Sequence, residues 1–278
     1  MGPGAIPAPP LSRLGAVPNV YRVTAVGSNA ADWERHWTTL EAIVELEPAR
    51  AWRHETVTLL ASRGLSSVSH VTILDLGCGR GEIVADLKRR NPSARCIGLD
   101  GATNPSWRHR GGIEFLKLDL ETLTIDDPQI TRLRHNVDLL ICSEVIEHMD
   151  DDRRLVRHMH ALLKNGGRLV LTAPAGPVAH IDRYFGHRRH YSRKGVASLI
   201  TECGFVVTSS SASGFPFFNA YRLGLLLGGS TLSNRVVAPE RLRPVLATRF
   251  VFWLFRGLFR IPTPRRLGWQ LFVVAVKS

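Results

Sequence analysis

From residue 64 onward, short apolar runs alternate with polar segments of helical periodicity. Several runs are apolar at consecutive positions, which is expected of strands that are covered on both faces of a sheet. The runs are Val71–Leu76, Arg95–Leu99, Ile113–Leu118, Val137–Cys142, Gly167–Thr172, Phe205–Ser209 and Leu271–Val276. The helical segments between them are Glu82–Arg90, Asp151–Leu163 and Ser192–Cys203. This alternation predicts βαβ crossovers, and therefore a doubly wound α/β fold with a seven-stranded, mostly parallel sheet.

The segments outside this pattern differ in kind. Residues 1–30 are rich in Pro, Gly and Ala and lack the apolar run of a signal peptide, so we expect a disordered leader. Residues 31–66 carry apolar side chains at three- and four-residue spacing, which predicts an N-terminal helical cap. Residues 67–278 are then one domain, and an arginine-rich helical insertion over residues 215–266 separates its last two strands.

Charge and cysteine content narrow the range of partners and compartments. Lys and Arg number 36 against 24 Asp and Glu, a formal net charge of +12, which favours a nucleic acid, an acidic membrane surface or a phosphorylated substrate. The cysteines Cys78, Cys96, Cys142 and Cys203 lack metal-binding spacing, so we expect reduced thiols in a cytoplasmic protein. No uncharged stretch reaches the roughly 18 residues that a membrane span needs.

A glycine-rich turn follows the first apolar run and precedes the first helical segment. Its glycines, Gly77, Gly79 and Gly81, occupy alternate positions, as in a turn whose backbone closely approaches a ligand. Glu82 stands where a dinucleotide fingerprint requires its third glycine, and the turn has no P-loop Lys-Ser/Thr pair. The carboxylate of Asp75 suits a ligand with an ammonium group better than a pyrophosphate, because it would repel the latter.

The segment Ile73–Glu82 resembles the first motif of class I S-adenosylmethionine (SAM)-dependent methyltransferases. The order of elements from about Val71 to Gly204 is also that of this family. The resemblance implies that SAM is the cofactor and that the turn, including Cys78, contacts it. The protein then has mainly to bring the acceptor atom into line with the methyl group, because SAM already supplies that group in activated form.

Three further strand ends supply candidate cofactor residues. Asp100 ends the second strand, where a carboxylate can accept both ribose hydroxyls. The family resemblance implies that Asp119 and Leu120, after the third strand, contact the adenine. Ser143 and Glu144 follow the fourth strand and should line the cleft, because ligands bind at the carboxyl ends of parallel strands. Asp100 and Asp119 could alternatively be turn or cap residues.

Histidines near the fourth and fifth strand ends are the catalytic candidates. An oxygen nucleophile usually needs its proton removed, and His148 beside Glu147 is our first candidate for the base. A loop before the third helical segment adds His187, His190 and Tyr191, and it resembles a Gly-His-x-Arg-x-Tyr stretch found in some bacterial class I methyltransferases. The loop could recognise an anionic acceptor, or it could be a solvated basic loop.

The segment Glu144–His148 also resembles a metal-binding segment of ubiquinone-biosynthesis O-methyltransferases and small-RNA 2′-O-methyltransferases. In the RNA enzymes a further histidine follows the fifth strand, where this chain has His180, His187 and His190. A divalent ion would then use Glu144, Glu147, His148 and His187. The same Glu-x-x-Glu-His pattern occurs in many SAM enzymes that use no metal, so the resemblance does not require one. Glu147 and His148 could equally be structural.

The insertion over residues 215–266 contains nine arginines, no lysine and one acid, Glu240. Arg249, Arg256 and Arg260 fall on one face of an apolar, aromatic helix predicted over 245–261. One interpretation is an interfacial amphipathic helix whose guanidinium groups reach anionic headgroups. The other is a lid or dimer helix that packs on the core and leaves its arginines in solvent.

The leading hypothesis is O-methylation of a small or lipid-linked acceptor, by an enzyme in the cytoplasm or peripheral at the inner face of the membrane. One alternative is an RNA 2′-O-methyltransferase, which would show strongly salt-dependent RNA binding. The insertion over residues 215–266 has no lysine, and its aromatic side chains lie in an apolar cluster that does not resemble a stacking platform, so RNA is disfavoured as a partner. Another is a non-catalytic SAM-fold protein with a role in assembly. The intact glycine turn, Asp100 and Asp119 argue against that alternative.

Overall fold

The computed structural model describes residues 47–63, 70–237, 246–261 and 266–278. The predicted leader, and the predicted cap up to residue 46, lie outside the described residues.

The seven apolar runs form the strands of a single sheet. The strands are β1 (Thr72–Leu76), β2 (Arg95–Asp100), β3 (Ile113–Lys117), β4 (Val137–Ser143), β5 (Leu163–Pro174), β6 (Phe205–Ser213) and β7 (Gln270–Lys277). Their order is β3-β2-β1-β4-β5-β7-β6, with β1 to β5 parallel and β7 antiparallel to both of its neighbours. The predicted doubly wound, mostly parallel sheet is confirmed.

Helices connect and cover these strands. They are α1 (Pro48–Ser62), α2 (Glu82–Arg90), α3 (Pro128–Thr131), α4 (Asp152–Leu162), α5 (His180–Tyr184), α6 (Arg193–Glu202), α7 (Phe217–Val237) and α8 (Leu246–Leu258). The side chain of Ser192 caps α6 by accepting a hydrogen bond from the Gly195 amide at 2.9 Å, as its position in the sequence predicts. Asp151 caps α4 in the same way through the Arg154 amide at 2.8 Å.

The central strands are buried over most of their length. In β1 the four residues from Ile73 to Leu76 are all buried, and Asp75 is the polar member of that run. Leu74 and Leu140 pack on one side of the sheet, and Ile73 and Ile141 pack on the other. Because helices cover both faces, the strands read as continuous apolar runs rather than as alternating ones.

Two local features differ from the sequence prediction. Residues 164–166 lie between the predicted helical segment Asp151–Leu163 and the predicted fifth strand, but they form an irregularity within β5, between the pairs Val137–Leu163 and Leu139–Arg168. A short 3₁₀ helix over Pro105–His109 follows β2, where no helix was predicted. Its N-cap, Asn104, accepts a hydrogen bond from the Ser106 amide at 3.0 Å.

The insertion helices α7 and α8 pack against α1 through aromatic side chains. The ring centroids of Trp52 and Phe218 are 5.5 Å apart, and those of Trp52 and Phe259 are 5.7 Å apart. Tyr221 joins this cluster and donates a hydrogen bond to Glu47 Oε1 at 3.1 Å. The described part of the insertion therefore has a face that packs on the domain. Within the described ranges, no helix has both the length and the apolar character that crossing a bilayer requires.

Candidate active site

The glycine turn between β1 and α2 has three residues with positive φ. Gly77, Gly79 and Gly81 have φ values of +76°, +51° and +71°, which glycine adopts without steric cost. The Gly77 amide donates to the carbonyl of Leu99 at 2.7 Å, so the turn is anchored on β2. A β-carbon on Gly77 would lie 2.3 Å from Val145 Cγ2. The segment that follows β4 therefore lies directly against the turn.

Substitution of Gly77 tests this close approach. We expect Gly77→Ala to lower the free energy of unfolding by about 2–4 kcal/mol, because positive φ and overpacking against the buried Val145 both cost free energy. Gly166→Ala is the matched control: its φ is +75°, but nothing lies within 4 Å of an added β-carbon. We expect it to cost only about 1 kcal/mol. If urea unfolding showed the same loss of unfolding free energy in both variants, the close contact between Gly77 and Val145 would be contradicted.

Asp75 is a buried carboxylate beside the turn. Its side chain is 1% exposed, and its Oδ2 atom has no hydrogen-bond partner among the described residues. Burial, followed by the negative charge of Asp100, raises the pKa of Asp75 to about 7. A positively charged ligand group would satisfy this carboxylate and hold it ionised, so the site fits the ammonium group of SAM.

Asp100 lies at the end of β2, and its carboxylate is already bonded to the backbone. Oδ2 accepts a hydrogen bond from the Gly79 amide at 2.7 Å, and Oδ1 accepts one from the Ala102 amide at 3.0 Å. Burial raises its pKa, and these backbone donors oppose the shift. The residue thus helps to hold the glycine turn in place, and its role toward the ribose stays a prediction.

The predicted adenine residues lie one after the other beyond β3. Asp119 is exposed and accepts a hydrogen bond from the Glu121 amide at 2.9 Å, whereas Leu120 is buried. Their roles stay predictions. The thiol of Cys78 is buried, and burial raises its pKa well above the ordinary value, so Cys78 keeps its proton. All four cysteines are free and buried.

An aromatic support for the glycine turn was missed by sequence reasoning. The indole of Trp107 donates to the Gly79 carbonyl at 2.8 Å and stacks on Phe115 with centroids 4.8 Å apart. Ser106 and Arg110 both donate to the carbonyl of Arg80, at 2.9 and 2.7 Å. No periodicity marks this segment, and only the pairing of β2 with β3 brings Phe115 beside the turn.

Ser143 and Glu144 connect β4 to neighbouring elements. Ser143 Oγ is 2.9 Å from Thr172 Oγ1. The Glu144 Oε1 atom accepts hydrogen bonds from Thr172 Oγ1 and Gln270 Nε2, both at 2.9 Å. Its Oε2 atom is 3.6 Å from the guanidinium of Arg53 on α1. These carboxylate oxygens are therefore engaged by β5, β7 and α1, and the predicted roles of Ser143 and Glu144 toward the cofactor remain predictions.

Three histidines meet at the carboxyl ends of β4 and β5. The rings of His148 and His187 are 4.8 Å apart in an edge arrangement, and His187 Nδ1 is 3.2 Å from His190 Nε2. Burial lowers the pKa of His148 to about 4 and that of His187 well below its ordinary value. All three imidazoles are accordingly neutral at pH 7, because burial also lowers the pKa of His190.

The hydrogen bonds of this cluster define its tautomers. A carbonyl oxygen can only accept, so His190 Nδ1, 3.1 Å from the Gly176 carbonyl, carries the proton. His190 Nε2 then has the lone pair and accepts from His187 Nδ1. His187 is left with its lone pair on Nε2, the form that a general base requires.

A buried carboxylate behind the histidines was also missed. Asp182 is 1% exposed, and its Oδ2 atom is 3.6 Å from His190 Nε2. Arg222 on α7 donates to both oxygens of Asp182, at 2.8 and 2.6 Å. Arg222 is 40 residues from Asp182, and nothing in the local pattern of either residue indicates the pair.

Tyr191 anchors the histidine loop rather than standing free. Its hydroxyl donates to Asp152 Oδ2 at 2.7 Å, and it lies 3.1 Å from the Ile146 carbonyl. Burial and the Asp152 carboxylate both raise its pKa. Its predicted catalytic role stays a prediction.

Part of the predicted metal set comes together. Glu147, His148 and His187 offer potential ligand atoms that all lie within 4.8 Å of one another, and Asp182, His187 and His190 do the same. The carboxylate of Glu147 is fully buried, and neither oxygen has a hydrogen-bond partner among the described residues. Burial and the nearby Glu144 raise its pKa well above the ordinary value. A proton or a cation would satisfy it. Within the described ranges Glu144 joins neither group.

The strand order, the glycine turn and the acidic strand ends define a class I SAM-dependent methyltransferase. A family model described as a methyltransferase domain matches residues 44–210, and the chain belongs to this family. Its cofactor is SAM, and the buried Asp75 oxygen, which has no hydrogen-bond partner among the described residues, is consistent with the ammonium group of that cofactor.

Curated relatives are distant. A protein of Streptomyces fradiae transposon TN4556, uncharacterised by name, is 26% identical over 241 residues, which cover 79% of this chain and 66% of that protein. Trans-aconitate 2-methyltransferase of Deinococcus radiodurans is 30% identical over 106 residues, 38% of this chain and 39% of the relative. Ubiquinone biosynthesis O-methyltransferase of Coxiella burnetii is 28% identical over 105 residues, covering 36% and 42%. The chain thus spans between about two-fifths and two-thirds of the length of these relatives.

Solved structures share the fold. A chain of the complex between the Haloferax volcanii Trm112 methyltransferase activator and a methyltransferase has a TM-score of 0.57 at 17% identity, covering 90% of this chain and 98% of that one. The Burkholderia thailandensis 1,6-didemethyltoxoflavin-N1-methyltransferase, with bound S-adenosylhomocysteine, has a TM-score of 0.51 at 15% identity, covering 81% and 78%. These identities support the fold and say nothing of the acceptor.

Proposed function

We propose that this methyltransferase transfers the SAM methyl group to an oxygen atom of a small or lipid-linked acceptor, with His187 as the general base. The observation that carries the proposal is the 3.2 Å contact between His187 Nδ1 and His190 Nε2, which leaves the lone pair of a neutral His187 on Nε2. An oxygen nucleophile gains most from such a base, because its proton must leave as the new bond to carbon forms. A carbon or amine acceptor needs less assistance.

The step conserves atoms and charge. The acceptor hydroxyl gives its proton to His187 Nε2, the oxygen bonds to the methyl carbon, and the carbon–sulfur bond breaks. S-adenosylhomocysteine leaves as a neutral thioether. His148 follows Val145, which lies against the glycine turn, and its ring contact with His187 supports a base near the cofactor. The name of the Coxiella relative, a ubiquinone biosynthesis O-methyltransferase, agrees with an oxygen acceptor.

A metal-assisted form of the same reaction is the second candidate, supported by the Glu147 carboxylate, whose oxygens have no hydrogen-bond partner among the residues that the structure describes. A divalent ion held by Glu147, His148 and His187 would supply the lowering of the acceptor pKa that the base otherwise provides. Addition of a chelator distinguishes the two forms, because only the metal-assisted one depends on the ion.

The test is a methyl-transfer assay with acceptors of different chemistry. The purified protein is incubated with SAM and a short-chain prenylated catechol, trans-aconitate, a primary amine or an RNA oligonucleotide, and products are identified by mass spectrometry. We expect a methoxy product from the catechol, and the same rate in excess EDTA. Activity lost in EDTA and restored by Mn²⁺ or Mg²⁺ would favour the metal form. Turnover of the amine alone, or of the RNA alone, would overturn the proposal.

A further inference from the structure

We propose that the outer face of the α7–α8 pair binds the surface of an anionic lipid bilayer. This binding goes beyond the methyl-transfer proposal, and it does not depend on which acceptor the enzyme uses.

The inner faces of these helices are already occupied. Phe255 packs on Tyr221 with ring centroids 5.3 Å apart, and Phe259 packs on both Tyr221 and Phe218. Near the N-terminal end of α7, Asn219 donates a hydrogen bond to the Leu267 carbonyl at 2.9 Å and so ties the helix to the segment before β7. The helix pair thus has a defined position on the domain, and its other face is presented to the surroundings.

That other face is apolar. On α8 and just beyond it, Phe250, Trp253, Leu254 and Ile261 fall at helical spacing, and they are 60%, 70%, 40% and 46% exposed. On α7, Leu227 is 80% exposed. Of the ten exposed large apolar side chains in the described part of the chain, eight lie between residues 215 and 267. Such a concentration marks an interaction surface rather than scattered exposure.

Charge indicates what covers this face. The segment 215–266 has nine arginines and one acid in sequence, and eight of these arginines remain once Arg222 is assigned to Asp182. Arg256 and Arg260 share the single carboxylate of Glu55, at 3.4 and 2.6 Å, so that group keeps a positive charge. Arg266 is exposed. Apolar and aromatic side chains flanked by arginines match the boundary between acyl chains and anionic headgroups.

Other partners fit less well. A second copy of the chain would bring two arginine-rich segments of like charge together, which electrostatics opposes. An RNA would need a basic groove that follows its backbone, but the segment has no lysine, and the two exposed rings of Phe250 and Trp253, with centroids 6.1 Å apart, stand beside the exposed apolar Leu254. A bilayer accepts the apolar stripe and the guanidinium groups at the same time.

The test is co-sedimentation of the full chain with vesicles. We expect binding to phosphatidylcholine vesicles that contain 30–50% phosphatidylglycerol (roughly the range that gives a strong surface potential) and about 10-fold weaker binding to pure phosphatidylcholine. The double substitution Phe250→Ser/Trp253→Ser should weaken binding by about 10- to 100-fold. Val206→Ser is the matched control, because Val206 is 57% exposed on the edge strand β6. It should bind as the unmodified chain does.

Each outcome decides the proposal. SAM affinity and the circular dichroism spectrum, unchanged in the double variant, show that it is folded, and its acceptor turnover in solution should also be unchanged. Failure of methyl transfer with intact vesicle binding would therefore reject the proposed function alone. Equal binding of the double variant and the unmodified chain would overturn the membrane surface. So would a concentration-dependent dimer that the double substitution abolishes in sedimentation velocity.

Tryptophan fluorescence supplies an independent readout. We expect a blue shift when phosphatidylglycerol vesicles are added, because the indole of Trp253 leaves water. Trp253→Phe should keep the binding and lose most of the shift, since phenylalanine preserves the apolar contact. A shift that persists in this variant would place the contact elsewhere on the protein and contradict the proposed surface.

Discussion

Replacement of Asp75 by Asn is expected to weaken SAM binding on the order of 100-fold or more while making the SAM-free protein more stable at pH 8. The two effects have one cause. The buried carboxylate has an oxygen with no hydrogen-bond partner in the part of the chain that the structure describes, so its charge is costly until a cation binds. Removing the charge relieves that cost and also removes the partner that we propose for the SAM ammonium group, and loss of one member of a buried charge pair costs about 2–5 kcal/mol.

The pH dependence of stability follows from the same carboxylate. Its pKa is about 7 in the folded protein, above its ordinary value of 3.8. The folded state therefore binds the proton more tightly than the unfolded state, and stability falls as the pH rises from about 4 through 7. The contribution lost by pH 8 is on the order of 2–4 kcal/mol. Asn cannot ionise, so the variant should escape this loss.

Calorimetric SAM titration and urea unfolding at pH 5 and pH 8 measure both effects. Asp126→Asn is the control, because Asp126 is an exposed surface residue and should change neither quantity. A variant at position 75 that binds SAM within threefold of the unmodified protein would refute the assignment of Asp75 to the ammonium group. A stability difference of the same size at both pH values would refute its raised pKa.

Replacement of His187 by Ala should lower kcat by about 10²- to 10⁴-fold and leave the Kd for SAM unchanged. General base catalysis contributes a factor of this size, and we propose that the His187 imidazole faces the acceptor rather than SAM. His190→Ala should have a smaller effect, because His190 acts through the hydrogen bond that sets the His187 tautomer. Gln at position 190 should restore part of the loss, since its carbonyl oxygen can accept the same bond.

The comparison uses single-turnover rates with the acceptor identified in the methyl-transfer assay. His160→Ala is the control, because His160 packs on Phe205, at the end of the sheet opposite the site. An equal loss of kcat in this control would mean that the effect comes from stability and not from chemistry. A His187 variant that keeps full activity would exclude the residue as the base.

The fold can be predicted from the sequence because the signals for its elements are local. A strand covered on both faces must be apolar at consecutive positions, so β1 and β4 could be found without any neighbour being known. A turn that needs positive φ must use glycine, which is why Gly77 could be recognised from its spacing. The helix cap at Ser192 depends on residues three apart, and it was predicted for the same reason.

The site can be predicted from the sequence only in part, because its contacts join segments that are distant in the chain. Asp182 pairs with Arg222 across 40 residues, and the pair exists only because α7 packs beside α5. Glu144 was a candidate for cofactor or metal, yet Gln270 of β7 bonds to the same carboxylate from 126 residues away. Trp107 supports the glycine turn and stacks on Phe115, which lies beside it only because β3 pairs with β2. No local pattern contains these relationships.

The sequence by itself therefore determined the sheet and the glycine turn, because each depends on backbone requirements that a few adjacent residues must meet, and the resemblance of that turn to a family motif implied the cofactor. Only the tertiary structure decided which buried polar side chains have hydrogen-bond partners among the described residues, and which nitrogen of each of the contacting histidines His187 and His190 carries the proton. It also decided that one face of the insertion packs on α1 and that an apolar face stays exposed. Burial and hydrogen bonding between distant residues set these properties, and both arise only when the chain has folded.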